Sequence, residues 1–258
     1  MKILFLGDVV GGHGCRFVSS VIGKLKKQYS ADITIINGEN SADGNGITPH
    51  SANELLNYAD VLTTGNHCFR RREVFPLLDS APNIIRPANF PKDSPGKGWC
   101  IIDKGSSQLA VVNLQGTVYM DSADNPFTMI DDILDEIKEK YGTPNIFLDF
   151  HAEATSEKKA MGQYLAGKVT AVVGTHTHVQ TADETILSDH TAYITDAGMC
   201  GAELSVLGVR SDIIIKRMRT HLPERFVESK EPPFANGVVI EYEEKTGRAV
   251  SIERFIVR

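Results

Sequence analysis

Short apolar runs alternate along this chain with longer stretches whose apolar residues recur at helical spacing. "KILFLG" (Lys2–Gly7) and "DITIING" (Asp32–Gly38) are nearly unbroken apolar runs, the pattern of strands buried on both faces. Between them, "CRFVSSVIGKLKKQY" sets Phe17, Val18, Val21, Ile22 and Leu25 on one helical stripe, so the chain opens with a β-α-β unit. "PHSANELLNY", with Pro49 in its first turn, predicts a helix, and "DVLTTGNH" (Asp60–His67) a third strand. "CIIDKGSSQLAVVNL" reads as two strands around a Lys-Gly-Ser-Ser turn, and "PFTMIDDILDEIKEKYG" as an amphipathic helix from Pro126 to a stop at Gly142. "NIFLDFHAE" and "VTAVVGTHTH" read as strands on either side of the helix "TSEKKAMGQYLAGK". "TAYITDAG" predicts another strand, "LGVRSDIIIKRMRTHL" a helix, and "GVVIEYEEKTGRAVSIERFIV" a terminal hairpin turning at Thr-Gly.

The segment most like a loop is "NFPKDSPGKGW" (Asn89–Trp99), and there is no internal repeat or Pro/Gly/Ser-rich linker. The expectation is one α/β domain over residues 1–258, with sheets covered by helices. Parallel β-α-β units lead, and antiparallel strands come in the middle and at the end.

Composition removes several classes of function. Hydrophobic residues make up 41% and charged residues 23% of the 258 residues, as in soluble globular proteins. No apolar run approaches the ~20 residues that span a bilayer. The opening residues lack the pattern of a secretory signal. The net charge of -6 and pI of about 5.8 disfavour a broad basic face for long nucleic acid. A small anionic substrate remains open, because metal ions can supply local positive charge. Cys15, Cys68, Cys100 and Cys200 are widely spaced without a C-x-x-C, which fits reduced thiols in the cytoplasm. Composition leaves room for a homo-oligomer.

The candidate chemistry lies where the strands end. Asp8 follows the first strand, Glu39 and Asn40 the second, Asn66 and His67 the third. "LDFHAE" delivers His151, and "GTHTH" delivers His176 and His178. In parallel sheets, sites form beyond the carboxyl ends of the strands, so these segments converge on one edge. Each alone reads as a cap, a turn or a surface histidine. Together they form a set of imidazole, carboxylate and amide oxygen without thiolate, which suits iron, manganese or zinc. If "HTH" is extended, both of its imidazoles face one side. Gly7, Gly38, Gly65 and Gly174 precede these residues, as expected for sharp backbone turns and close approach. The donors outnumber the needs of one tetrahedral ion, and two ions can clamp a phosphoryl group. A Cys68–His67 nucleophilic pair is a competing reading. Arg70, Arg71 and Arg72 read as a solvated first helical turn or as a phosphate contact.

The series "GD…GEN…GNH…H…GTHTH" resembles the calcineurin-like metallophosphoesterases. It departs from their common pattern at Val10, where histidine is usual, at Glu39, where aspartate is usual, and at Cys68, where an acid is usual. Those departures, with "LGDVVG", "NGEN", "TTGNH", "DFHAEATSEK", "VVGTHTHVQTAD" and "AYITDAGM", resemble the YmdB-like bacterial phosphodiesterases across nearly the whole chain. Cys68-Phe69 stands where that branch usually has Thr-Trp, and Met199-Cys200-Gly201 where it has Met-Thr-Gly. The resemblance implies a β-sandwich of two mixed sheets flanked by helices. It implies one metal on Asp8, Glu39, Asn40 and His178, and a second on Glu39, Asn66, His151 and His176, with Glu39 bridging. It also implies iron or manganese, a bridging hydroxide as nucleophile, His67 as proton donor, and cyclic nucleotides, notably 2',3'-cyclic AMP, as substrates. The alternatives are a phosphomonoesterase for nucleotides or sugar phosphates and a non-catalytic regulator binding cyclic nucleotide or RNA.

Overall fold

The apolar run at the start of the chain is unbroken because both of its faces are buried. In the strand Lys2–Leu6 (β1), Ile3 and Phe5 enter one hydrophobic cluster while Leu4 and Leu6 enter another. A computed structural model describes residues 1–258. After β1 come the two-residue strand Asp8–Val9 (β2), helix Gly11–Tyr29 (α1), strand Ile33–Asn37 (β3), helix Pro49–Leu56 (α2) and strand Val61–Thr63 (β4). Helix Phe75–Ser80 (α3), strands Trp99–Asp103 (β5) and Gln108–Gln115 (β6), and helix Pro126–Lys140 (α4) follow. Strand Ile146–His151 (β7), helix Thr155–Leu165 (α5), and strands Ala171–Thr175 (β8), Thr185–Leu187 (β9), Thr191–Ile194 (β10) and Met199–Ala202 (β11) come next. Helix Ser211–Thr220 (α6) and the long pair Pro233–Tyr242 (β12) and Ala249–Val257 (β13) complete the chain.

Two mixed sheets result. One runs β2-β11-β12-β1-β3-β4, with β13 also on β12; the other runs β5-β6-β7-β8-β10-β9. β1, β3 and β4 are parallel, as are β6, β7, β8 and β10. Between the sheets lies one core layer, in which the rings of Phe5 and Phe147 are 5.2 Å apart. Helices α1 and α2 cover the outer face of the first sheet, and α4 and α5 that of the second. The expected architecture of two mixed sheets flanked by helices is present. Local signals hold as well: Thr48 and Ser51 form a capping box at the start of α2, and the side chain of Asn125 caps α4.

Several elements differ from the sequence expectation. α1 starts at Gly11 rather than Cys15, because its first turn is glycine-rich and carries no apolar signal. α6 starts at Ser211, later than the pattern suggests. The short elements β2, β9, β11 and α3 have too few residues to show a period. No helix is long and apolar enough to cross a membrane.

Candidate active site

The parallel strands of both sheets end on the same side, and the polar residues past those ends meet there. Glu39 and His151 are fully buried, and Asp8 lies with them without solvent contact. Glu39, His151 and His176 present donor atoms within 4.8 Å of one another. His151 Nε2 is 2.5 Å from Glu39 Oε2, 3.0 Å from Asn66 Oδ1 and 3.1 Å from His176 Nδ1. The second group assembles beside it. Asn40 Nδ2 is 3.4 Å from Asp8 Oδ1 and 3.2 Å from His178 Nε2, and His178 Nε2 is 3.8 Å from Asp8 Oδ1. All the candidate ligands picked from the sequence therefore converge.

Protons show what this cluster is built to hold. Thr175 Oγ1 donates to Asp149 Oδ1 at 2.6 Å, so it accepts from His151 Nδ1 at 2.9 Å. A neutral His151 protonated at Nδ1 then turns a bare lone pair at Nε2 toward its three neighbours. Glu39 Oε2 finds no donor at all, although it is buried. His176 Nε2 lies 3.1 Å from Glu153 Oε2, and a proton held there leaves a second bare lone pair at Nδ1. Lone pairs from an amide oxygen, a carboxylate and two imidazoles thus converge with no proton between them. Buried polar groups without partners are costly, and a cation satisfies all of them at once. The residues fit a metal.

Ionisation points the same way. Burial lowers His151 to about 4 and His176 to about 2, which keeps both imidazoles neutral and able to ligate. Burial also lowers His178. Burial raises Asp8 to about 7 and raises Glu39 as well. A bound cation reverses the logic for these carboxyls by favouring their charged forms.

His67 sits at the edge of the cluster. Its backbone N–H donates to Glu39 Oε1 at 2.5 Å, and its ring Nδ1 lies 3.0 Å from Asn40 Oδ1. An amide oxygen only accepts, so Nδ1 carries the proton and Nε2 is left free. Burial lowers the His67 pKa, with the Glu39 carboxylate opposing it.

Three local expectations need correction. The "HTH" segment is not extended, because β8 stops at Thr175 and His176 and His178 have φ of 99° and 67°. A left-handed turn, not strand alternation, aims the two imidazoles. Gly7, Gly38, Gly65 and Gly174 all lack positive φ, so sharp turning is not their role. Close approach is the role at Gly65, where a Cβ would run into His151 and the Glu39 carboxylate. Arg70 and Arg71 are not in a helix: Arg70 lies 3.8 Å from Asp121, Arg71 lies 3.3 Å from Asp43, and a short 3-10 turn starts only at Arg72.

The thiols prove inert. All four cysteines are free. Cys68 is fully buried with its pKa pushed up by burial, and burial raises Cys200 to about 12. A Cys68 nucleophile is therefore ruled out on access and on ionisation.

Sequence reasoning missed the residues beneath the cluster. Buried Asp149 accepts from Thr175 Oγ1, Thr63 Oγ1 and Asn37 Nδ2 at 2.6, 2.5 and 2.9 Å. Asn37 Oδ1 in turn accepts from Glu39 N at 3.0 Å. Asp149 thus orients His151 through Thr175 and Glu39 through Asn37. Asp196 accepts from Thr177 N and Oγ1 at 3.0 and 2.7 Å and pairs with buried Lys158 at 2.7 Å, which pins the turn carrying His176 and His178. The only sequence signal for them was their membership of "DFHAEATSEK" and "AYITDAGM".

With this geometry in view, comparison with known proteins is decisive. The family model described as YmdB-like protein matches residues 4–255. The chain belongs to the YmdB-like family. A Bacillus subtilis relative named 2',3'-cyclic-nucleotide 2'-phosphodiesterase is 48% identical over 258 residues, covering 100% of this chain and 97% of its own length. A Thermus thermophilus structure matches with a TM-score of 0.92 at 35% identity, covering 100% of this chain and 99% of that one. A Mycoplasma pneumoniae structure titled a novel phosphatase matches with a TM-score of 0.93 at 31% identity, covering 100% and 93%. This YmdB-like chain is a phosphoesterase.

Proposed function

We propose that this YmdB-like chain is a dinuclear-metal phosphodiesterase that opens 2',3'-cyclic nucleotides, 2',3'-cyclic AMP among them. The observation that carries the reading is the convergence of bare lone pairs on His151 Nε2 from Asn66, Glu39 and His176. Asp8 and His178 supply donors for a second ion, Asn40 can add only the second lone pair of the Oδ1 that accepts from His67, and Glu39 lies between the groups with its two oxygens facing different neighbours. Iron or manganese fits a donor set of nitrogen and oxygen without thiolate. Bound ions supply Lewis-acid charge and an activated water. The name of the Bacillus subtilis relative supports the substrate class and the 2' position of cleavage.

The chain's own groups perform the rest. Water adds to phosphorus and sheds a proton to solvent, the P–O2' bond breaks, and the leaving ribose oxygen takes the Nε2 proton of a doubly protonated His67, the form that the neighbouring Glu39 carboxylate favours. Asn40 Oδ1 holds the His67 ring by its Nδ1 proton. Asp149 and Asp196 keep the ligand histidines from turning away. One domain carries the whole activity, and its unpaired cysteines suit the cytoplasm.

Elemental analysis of protein purified without added metal, together with a substrate panel, tests the reading. Two first-row ions per chain and conversion of 2',3'-cyclic AMP to the 3'-monophosphate are expected. Hydrolysis of terminal monophosphates with no action on the cyclic ester would make the enzyme a phosphomonoesterase instead.

A further inference from the structure

The loop between β6 and α4 carries a tyrosine that neither the core nor the ligand set uses. Tyr119 is 90% exposed and sits at φ 62°, a left-handed conformation unfavourable for a side chain of its size. The backbone around it is held firmly. Thr117 N and Oγ1 donate to Glu157 Oε1 at 2.8 and 3.1 Å, and Val118 N donates to Glu157 Oε2 at 3.3 Å. Glu157 is itself buried, and its carboxylate occupies the space that a side chain at Gly116 would fill. Gln115 Nε2 donates to Asp121 O and Asn89 Nδ2 to Asp124 O, at 2.8 and 2.9 Å. A buried carboxylate and two buried amides thus hold an exposed aromatic residue in a strained backbone, the sort of local cost that accompanies function.

The loop stands at the rim of the metal cluster. Gly116 N donates to the carbonyl of His151 at 2.9 Å. Tyr119 follows three residues later, at most about 10 Å of chain away. Arg70 approaches Asp121 of the same loop at 3.8 Å, which brings the loop against the turn bearing Asn66 and His67.

We propose that Tyr119 is the platform on which the nucleobase of the substrate stacks, an inference that rests on the cyclic-nucleotide reading above. Every base has a π-face, so such a platform accepts all four bases and gains affinity without reading the sequence. Tyr119 is then a specificity-determining residue that favours nucleotides over phosphodiesters lacking a base.

Steady-state kinetics of wild type, Tyr119→Ala and Tyr119→Phe on 2',3'-cyclic AMP and on methyl riboside 2',3'-cyclic phosphate, which lacks the base, test this. Tyr119→Ala should raise KM for the nucleotide about tenfold, equal to ~1.4 kcal/mol and within the range of one base–aromatic stack. Its kcat, its metal content and its KM for the baseless ester should match wild type, and Tyr119→Phe should restore the nucleotide KM. An unchanged nucleotide KM, or an equal rise on both esters, overturns the proposal. Phe226→Ala is the rival arm, because Phe226 lines a separate cavity of about 600 Å3 with Val10, Arg71 and Leu207. If it raises the nucleotide KM while Tyr119→Ala is silent, the base lies in that cavity and the proposal fails. A wild type that cleaves the baseless ester or a monophosphate but no cyclic nucleotide overturns the cyclic-nucleotide reading itself.

Discussion

Glu39 and His67 touch, yet their chemistry separates them. Glu39 offers one oxygen to the His67 amide and turns the other, without a donor, toward His151. Glu39→Ala should therefore abolish binding of both ions, while Asn40→Ala weakens chiefly one; elemental analysis of folded variants checks this. His67 is held by its Nδ1 and leaves Nε2 for the substrate. His67→Ala should keep both ions and lose about 10²–10⁴-fold on a 2',3'-cyclic nucleotide, whose alkoxide leaving group needs a proton. On an activated aryl phosphodiester, whose phenolate leaves unaided, the loss should be much smaller. Equal losses on both substrates with metal content unchanged would remove His67 from the donor role. These residues were legible in the sequence because each follows a recognisable strand. Glu153 was not, since a glutamate past a strand looks like any surface acid until His176 is found 3.1 Å away.

Among the elements, the turn after β8 depends on a charge pair from elsewhere in the chain. Lys158 comes from α5 and Asp196 follows β10, and both side chains are almost fully buried. Lys158→Met leaves the Asp196 carboxylate buried without its cation, which should cost about 3–5 kcal/mol of stability. Urea denaturation of the variant measures that loss. Because Asp196 also holds Thr177, metal affinity should fall with it. A stable variant with normal metal content would mean that Asp196 is satisfied by its hydroxyl and amide donors alone. The sequence marked "HTH" as a motif but suggested the wrong device for it. Strand alternation is a local rule, whereas the left-handed turn at His176 and His178 is imposed by Asp196 and by Asp8, whose Oδ2 accepts from His176 N at 3.1 Å.

For the molecule as a whole, burial of the cluster couples metal binding to pH and stability. Asp8 is raised from its ordinary 3.8 to about 7, so without metal the folded chain keeps a proton there at about pH 5. Metal must displace that proton at pH 5 but finds none to displace at about pH 8. The rise in Tm caused by added Mn2+ after chelation should therefore be larger at pH 8 than at pH 5, and differential scanning calorimetry at both values measures it. An equal rise at both would show that Asp8 does not ligate. Burial also raises Asp149 to about 7, against the lowering pull of the hydroxyl and amide donors that hold it in place whether or not metal is bound.

The sequence alone determined the strands β1, β3, β7 and β8 and the helices between them, because apolar periodicity is a local consequence of burial. It also determined which residues stand past the strand ends, because chain order is all that this requires. Only the tertiary structure decided how the terminal hairpin joins the first sheet, with β12 pairing β13 along one edge and β1 and then β11 along the other. Partner choice among strands is a long-range matter on which local pattern is silent. The tertiary structure alone also recruited Asp149, Asp196, Lys158 and Glu157, because the worth of a buried charge lies in groups that sequence keeps far apart: Asn37 meets Asp149 across 112 residues, and Thr117 meets Glu157 across 40.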